Sequence, residues 1–382
     1  MNQRFYSLDV FRGATVALMI LVNNPGSWGH IFPPLAHASW HGVTPTDLVF
    51  PFFLFAVGNA MAFVLPRLEE KNIFWKKVIK RSLLIFLIGV FLNWFPFIKY
   101  NPDGNFVVKP FETLRIFGVL QRIAVSYFFA AVLIHFFKLR GAFVAAAFLL
   151  LFYWFLCVAL NPADPYSLSG WFGTNFDLKV LGAKHMYAGE GQPFDPEGLM
   201  SSIGSIVQVM FGYFVGHYIL TKGKTAEMLN GLFVAGAVLI VTGFMWDMVF
   251  PINKKIWTSS YTIYTTGLAL LVLSVLIYLI EFKKSTGAWS RFFDVFGKNA
   301  LFIFAMSALL PKGLALIRIA NGFTAEGKPK FLSPFAWFYE HVCKPILISD
   351  PRIGSLLYAL CFISMMWFLA WVLDKKKIYI KV

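Results

Sequence analysis

Charge and cysteine are what this chain has least of. Asp, Glu, Lys and Arg make up 14% of its 382 residues, against about 25% in soluble domains. So few polar side chains cannot coat a water-soluble globule of this size, which excludes a soluble enzyme, a disordered chain and a collagen-like repeat. The three cysteines, Cys157, Cys343 and Cys361, are scattered and form no CxxC pair. Neither a disulfide framework nor dithiol redox chemistry is expected. No Walker-type loop and no GxGxxG occurs. Acidic residues are scarcer than basic ones, 19 against 34, for a net charge of +15. On a soluble protein that excess would suggest nucleic acid. Here basic loops on the cytoplasmic side of a membrane account for it, and no nucleic-acid partner is expected.

What is abundant is apolar and aromatic. Fifty-eight per cent of the residues are hydrophobic, with 44 Phe, 14 Tyr and 12 Trp, and the mean hydropathy is +0.67. A lipid bilayer is the expected solvent. About ten runs are long enough to cross it as helix, near 8–24, 46–65, 81–98, 114–137, 141–160, 199–220, 230–250, 260–281, 297–315 and 354–373. Strand alternation of the kind a membrane barrel needs does not recur. The expected fold is all-α, a polytopic membrane helix bundle forming one integral-membrane domain over residues 1–382. The N-terminus, with Asp9 and Arg12 close to Met1, does not read as a cleavable signal peptide.

Basic residues set the expected orientation. Arg4, Arg12, Lys76, Lys77, Lys80, Arg81, Lys138, Arg140, Lys222, Lys224, Lys283, Lys284 and Lys375–Lys377 fall on one side. The first loop on the other side, near 25–43, has none, so both termini are placed in the cytoplasm. The outer loops near 161–198 and 316–353 are long for connectors, and the second carries an aromatic stretch, Phe331 to Tyr339, suited to the interface.

The first outer loop holds His30, His37 and His41, three of the seven histidines. His37 and His41 have helical spacing, but Gly42 and Pro45 argue for a loop and no third ligand is spaced nearby, so no metal is expected. A loop imidazole either takes a proton from an incoming nucleophile or simply bonds to the backbone. Thr44-Pro45-Thr46-Asp47 reads as a helix start, and so do Phe194-Asp195-Pro196-Glu197 and Ser349-Asp350-Pro351. Asp195 and Glu197 are nevertheless candidates for a sugar hydroxyl or an ammonium. Arg122 falls well inside a span, where a charge needs a partner or a wet cavity; it lines a passage or forms a structural ion pair. Ser7-Leu8-Asp9-Val10-Phe11-Arg12-Gly13 and Gly297-Lys298-Asn299-Ala300 open spans on the cytoplasmic side. They either hold phosphates or anchor the chain by the positive-inside rule. Gly212 and Gly216 form a GxxxG suited to close helix packing.

Taken in order, several blocks resemble the heparan-alpha-glucosaminide N-acetyltransferase family. They are the Ser7–Gly13 block, Val22-Asn23, His37-Ala38-Ser39-Trp40, Asp47-Leu48-Val49-Phe50-Pro51, Gly118-Val119-Leu120-Gln121-Arg122, Phe194–Gly198, Asn253-Lys254 with Trp257, and Gly297–Ala300. The chain looks like a bacterial-type member. The resemblance implies a transmembrane acetyltransferase of the bacterial inner membrane. It would move an acetyl group from cytosolic acetyl-CoA, a co-substrate, to the amine of a glucosamine-type sugar on the periplasmic side. The family's active-site histidine falls on His37 and its first-loop asparagine on Asn23, a candidate donor to the oxyanion. Trp40, Asp47, Asp195, Glu197, Asn253, Lys254 and Trp257 are implied for the acceptor. Asp9, Arg12, Arg122, Lys298 and Asn299 are implied for acetyl-CoA. The sequence departs from the family in a longer loop, Asn24 to Ala36, and in His41, where Asn is common. Direct transfer with His37 as general base is preferred over an acetyl-histidine intermediate. The alternatives are an amino-sugar transporter without acyl chemistry and an O-acyltransferase of a surface glycan. Besides donor, acceptor and bilayer, a homodimer is a candidate partner.

Overall fold

The computed structural model describes residues 5–380 apart from 69, 102, 324–326 and 347–348. Among the described residues there are twelve α-helices: α1 (Tyr6–Asn23), α2 (Val49–Val64), α3 (Lys71–Trp94), α4 (Val119–Leu160), α5 (Phe172–Leu181), α6 (Ser202–Lys222), α7 (Ala226–Asp247), α8 (Ser259–Ile277), α9 (Ala288–Lys298), α10 (Ala300–Leu314), α11 (Pro334–Phe338) and α12 (Pro351–Lys375). Two antiparallel hairpins, β1–β2 (98–100 with 106–108) and β3–β4 (319–323 with 329–332), decorate one end. All ten apolar runs fall on helices. Among the described residues seven helices are individually long and apolar enough to cross a membrane, and eight if the bent pair α9–α10 is one span. The 42-residue α4 is interrupted at Lys138, whose backbone leaves the helical region (φ 56°), so two of the runs share it. α3 begins with a basic stretch that includes Lys76, Lys77, Lys80 and Arg81.

The lipid-facing surface is legible in the exposed side chains. Phe143, Val144 and Phe148 on α4, and Val234, Val238 and Phe244 on α7, are all exposed, as expected where hydrocarbon replaces water. Inside, small residues let helices approach. A Cβ on Gly58 would lie 2.0 Å from the Val209 carbonyl oxygen, and one on Gly212 would lie 2.1 Å from that of Phe55. The GxxxG of α6 is therefore spent on α2 within this chain. α6 and α8 are joined by buried polar contacts: Gln208 donates to Thr266 at 3.0 Å and accepts from Thr265 at 3.3 Å.

The two described chain ends share one end of the bundle. Lys224 lies over the Phe5 ring, and Glu281 accepts from the Ser7 amide at 3.0 Å. Asn299 bonds the segment after α12, accepting from Ile380 N at 2.8 Å and donating to the Ile378 carbonyl at 3.0 Å. α1 runs away from that end to reach the loop that bears His37, and α2 leads back from that loop.

Candidate functional site

The site grows from the start of α2. Thr44 is extended, Pro45 opens a 3₁₀ turn, and Thr44 with Asp47 forms a reciprocal capping box. The Asp47 carboxylate divides its work. Its Oδ2 accepts from the amides of Ala38 and Thr44 and from the Thr44 hydroxyl, each at 3.0 Å. Its Oδ1 lies 2.7 Å from His37 Nδ1. The helix-start reading of this segment is right and incomplete: the same carboxylate that caps the turn also holds the histidine. Tyr261 donates to the Asp47 carbonyl from α8 at 2.5 Å, which fixes the turn from behind.

Lys254 joins this pair. Its Nζ is 3.2 Å from Asp47 Oδ1 and 2.9 Å from His37 Nδ1. Nδ1 cannot both donate to the carboxylate and accept from an ammonium. The carboxylate only accepts, so Nδ1 carries the proton, Lys254 donates to Asp47, and Nε2 keeps its lone pair. Burial drives the Lys254 pKa below its ordinary value, against the opposing pull of Asp47 and Glu197. The loop carrying it is pinned by Asn253, whose Oδ1 accepts from Ile256 N at 3.1 Å and whose Nδ2 lies 3.4 Å from His41 Nδ1. Burial also lowers the His41 pKa. Asn253 is wholly buried and so supports the loop rather than reaching an acceptor.

A second charged group faces the first across a cavity of about 250 Å³. Arg115 donates to Asp195 at 3.0 and 2.6 Å and to Glu197 at 2.5 Å, with its guanidinium over the Tyr187 ring. Burial opposes the charge on Arg115, but these two carboxylates win and raise its pKa. Burial likewise opposes ionisation of Glu197, and Arg115 and Arg122 overcome it, so the Glu197 pKa is lowered. Asp195 was read as a helix start. In the structure α6 begins only at Ser202; both Asp195 oxygens accept from Arg115 and one also from the Glu197 amide. Asp195 is buried and aims Arg115; Glu197 lines the cavity itself.

Arg122 and Trp257 lie deeper. Arg122 donates to Ser201 and to the Gly198 carbonyl, and it lies 5.0 Å from the centre of the Trp257 ring. Trp257 is buried with φ 51°, a backbone strain of roughly 1–3 kcal/mol for a bulky residue. At the rim Lys255 bridges the Ser39 carbonyl (2.7 Å) and Glu190 (2.6 Å), and Trp40 donates to the Tyr166 carbonyl at 2.8 Å.

Of the sequence-derived candidates, His37, Trp40, Asp47, Arg122, Glu197, Lys254 and Trp257 line this one cavity. Arg122, implied for the acetyl donor, lies in the same cavity as His37. Asn23 ends α1, is exposed and is not among the lining residues. Arg115, Tyr187, Glu190 and Lys255 were not anticipated. The only available signal for Arg115 was a basic residue just ahead of a long apolar run.

Arg12 and Lys298 line a second cavity, of about 310 Å³, with Arg81, Tyr127 and Ile380. Arg12 pairs with Asp9 at 2.8 Å and donates to the Gly297 carbonyl at 3.0 Å. Lys298 pairs with Asp294 (2.8 Å) and Asp374 (3.0 Å). Asn299 is committed to the segment after α12. Apolar side chains from α2, α4 and α10 form the inner wall. The His37 cavity meets the turn just before α2 at Asp47, and the second cavity is lined by α2 from Phe53 to Ala60; Phe53 is six residues from Asp47, about 9 Å of helical rise.

Residues 4–178 match the family model described as heparan-alpha-glucosaminide N-acetyltransferase, catalytic. The human heparan-alpha-glucosaminide N-acetyltransferase is 28% identical over 344 residues, covering 75% of this chain and 50% of its own length. The mouse protein of that name is 28% identical over 349 residues with the same coverage. The chain thus spans about half the length of the curated relatives it matches. The resemblance read from the sequence motifs is borne out by these matches. His37, Asp47, Arg115 and Arg122 fall inside the matched region; Glu197 and Lys254 lie beyond it.

Proposed function

We propose that this chain, a relative of the heparan-alpha-glucosaminide N-acetyltransferases, transfers an acetyl group from acetyl-CoA to the amine of a glucosamine-type sugar across a membrane. The observation that carries this reading is the His37–Asp47 pair, set in a cavity at the turn before α2, with a cation-lined cavity farther along the same helix. In the proposed reaction the acceptor amine sits in the His37 cavity. Its lone pair attacks the thioester carbonyl while His37 Nε2 removes a proton from the nitrogen. A C–N bond forms, the C–S bond breaks, and the leaving thiolate takes the proton that His37 removed. Asp47 holds the imidazole in the required tautomer and stabilises its charged form. Lys254 offers positive charge to the developing oxyanion, the role the sequence assigned to Asn23. Glu197 and Glu190 suit the ammonium form of an arriving amino sugar, which gives one proton to solvent before its lone pair attacks, and Trp40 and Tyr187 offer aromatic faces to its ring.

The nucleotide of acetyl-CoA is polyanionic and is assigned to the cation-lined cavity on the cytoplasmic side. The acetylated end of its arm then meets the amine beside His37, on the periplasmic side of a bacterial inner membrane. Direct transfer fits this arrangement, because donor and acceptor arrive from opposite ends and need no shared subsite. The test is acetyl transfer by the purified protein from labelled acetyl-CoA to glucosamine. N-acetylated product that is lost in His37→Ala is the expected result. Sugar uptake into proteoliposomes without acetyl-CoA, and no acetylated product, overturns the proposal.

A further inference from the structure

Among the described residues three cations line the inner cavity, and two of them are already neutralised. Arg12 is engaged by Asp9 and by the Gly297 carbonyl. Lys298 is held between Asp294 and Asp374. Arg81 differs. It enters from α3, its guanidinium lies 4.9 Å from the centre of the Tyr127 ring, and its buried Nε has no hydrogen-bond partner. Among the described residues it has no carboxylate within ion-pair distance. A guanidinium in an apolar-walled cavity without a counter-ion is an anion site awaiting its anion. Tyr127 covers one face of the plane and leaves the N–H edge to bind.

We infer that Arg81 is the phosphate-binding residue of the inner cavity, taking a phosphate of coenzyme A through its planar fork. The inference rests on the proposed function for the identity of the ligand; the residue is chosen by the geometry. Arg12 and Lys298 contribute positive field, but the charge of each is already offset by a carboxylate. Arg81 gives up nothing. Beyond it the cavity wall is apolar, formed by residues such as Ile85, Ile123 and Val57. That suits the thinner, less polar arm of the carrier and not a second phosphate. A fork that binds two oxygens at once discriminates phosphate from a single point charge, so Lys at this position is a partial substitute.

Coenzyme A binding is measured by calorimetry in an uncharged detergent, with pantetheine as the phosphate-free probe. The expected result is that Arg81→Gln weakens coenzyme A by about tenfold or more, and Arg81→Lys by a few-fold, in line with the loss of a bidentate charged contact. Pantetheine affinity is expected to change by less than about twofold in both variants, which also reports that they are folded. Equal losses for both ligands, or no loss for coenzyme A, overturn the inference. A lipid phosphate could occupy the same fork. If Arg81→Gln alters the protein only in nanodiscs of anionic lipid and leaves coenzyme A affinity in detergent unchanged, the site belongs to a headgroup and the inference fails. Failure of wild-type protein to bind coenzyme A overturns it too. Binding that depends on Arg81 without acetyl transfer sinks the proposed reaction and leaves this site standing.

Discussion

At the scale of single residues, Asp47 shows how one carboxylate serves two ends. Three donors on Oδ2 hold the turn that starts α2, and Oδ1 faces His37 and Lys254. The capping role was legible, because Thr-Pro-x-Asp before an apolar run has a local physical meaning. The contact to His37 was not, because it depends on how a ten-residue loop folds back. Arg115 was invisible for a similar reason: its partners Asp195 and Glu197 are some eighty residues away, and no local pattern encodes such a pairing. Asp47→Asn separates the two roles. The amide oxygen still accepts from the turn if it occupies the Oδ2 position, so the cap survives at a cost of about 1 kcal/mol or less. The amide group then faces Nδ1 as a donor and favours the tautomer that puts the proton on Nε2. Acetyl transfer is expected to fall by about 10² or more with coenzyme A affinity unchanged. Turnover and calorimetry on the same preparation check this.

At the scale of elements, every apolar run read from the sequence lies on a helix, because twenty apolar residues in a row have few other solutions in lipid. What the sequence hid are the breaks. α9 has only 11 residues and alternates Phe292, Phe293 and Phe296 with Arg291 and Asp294, and it meets α10 at 80° around Asn299. The Asp-Pro-Glu-Gly segment reads as a helix start but runs on as turns to Ser201, because it is clamped from α5. Asp177 Oδ1 accepts from Leu199 N (3.2 Å) and Met200 N (3.4 Å), and a Cβ on Gly198 would lie 1.9 Å from Asp177 Oδ2. Burial is the main cause that pushes the Asp177 pKa up to about 7, with Asp195 adding to it and the two amides and Arg122 opposing. A folded-state value above the unfolded one means that the native protein holds this proton more tightly. The associated stability is complete below the ordinary carboxylate pKa of 3.8 and is lost as pH rises through about 7. Asp177→Asn keeps the acceptor for the two amides and removes the charge. Thermal melts from pH 4 to 8 are expected to show the wild type losing stability, on the order of a few kcal/mol. The variant is expected to be flatter and to equal or exceed the wild type at pH 8. A variant with the same slope as the wild type would assign the pH dependence to other groups.

At the scale of the whole molecule, the bundle keeps two kinds of polar surface apart with apolar helices between them. One end carries His37, Lys254 and the Arg115 cluster; the other carries Arg12, Arg81, Lys298 and both described chain ends. The charge asymmetry of the loops predicts that basic residues are sorted by side. It could not show that α4 borders both cavities, through Arg122 on one and Ile123 and Tyr127 on the other, which follows only from packing. The short rise between Asp47 and Phe53 makes the arrangement suited to chemistry across a barrier, with a thin arm passing where a nucleotide cannot. Transfer across the bilayer requires that the two ends face different compartments, and that is open to direct measurement. In a background lacking Cys157, Cys343 and Cys361, a cysteine is placed at Ser39 beside the His37 loop, and another at Lys222 on the end that carries Phe5 and Glu281. Membrane-impermeant maleimide on intact spheroplasts is expected to label Ser39→Cys, while Lys222→Cys is labelled only in inverted vesicles. If both label from the same side, the two cavities open to one compartment, and transfer across the bilayer is replaced by transfer at a single face.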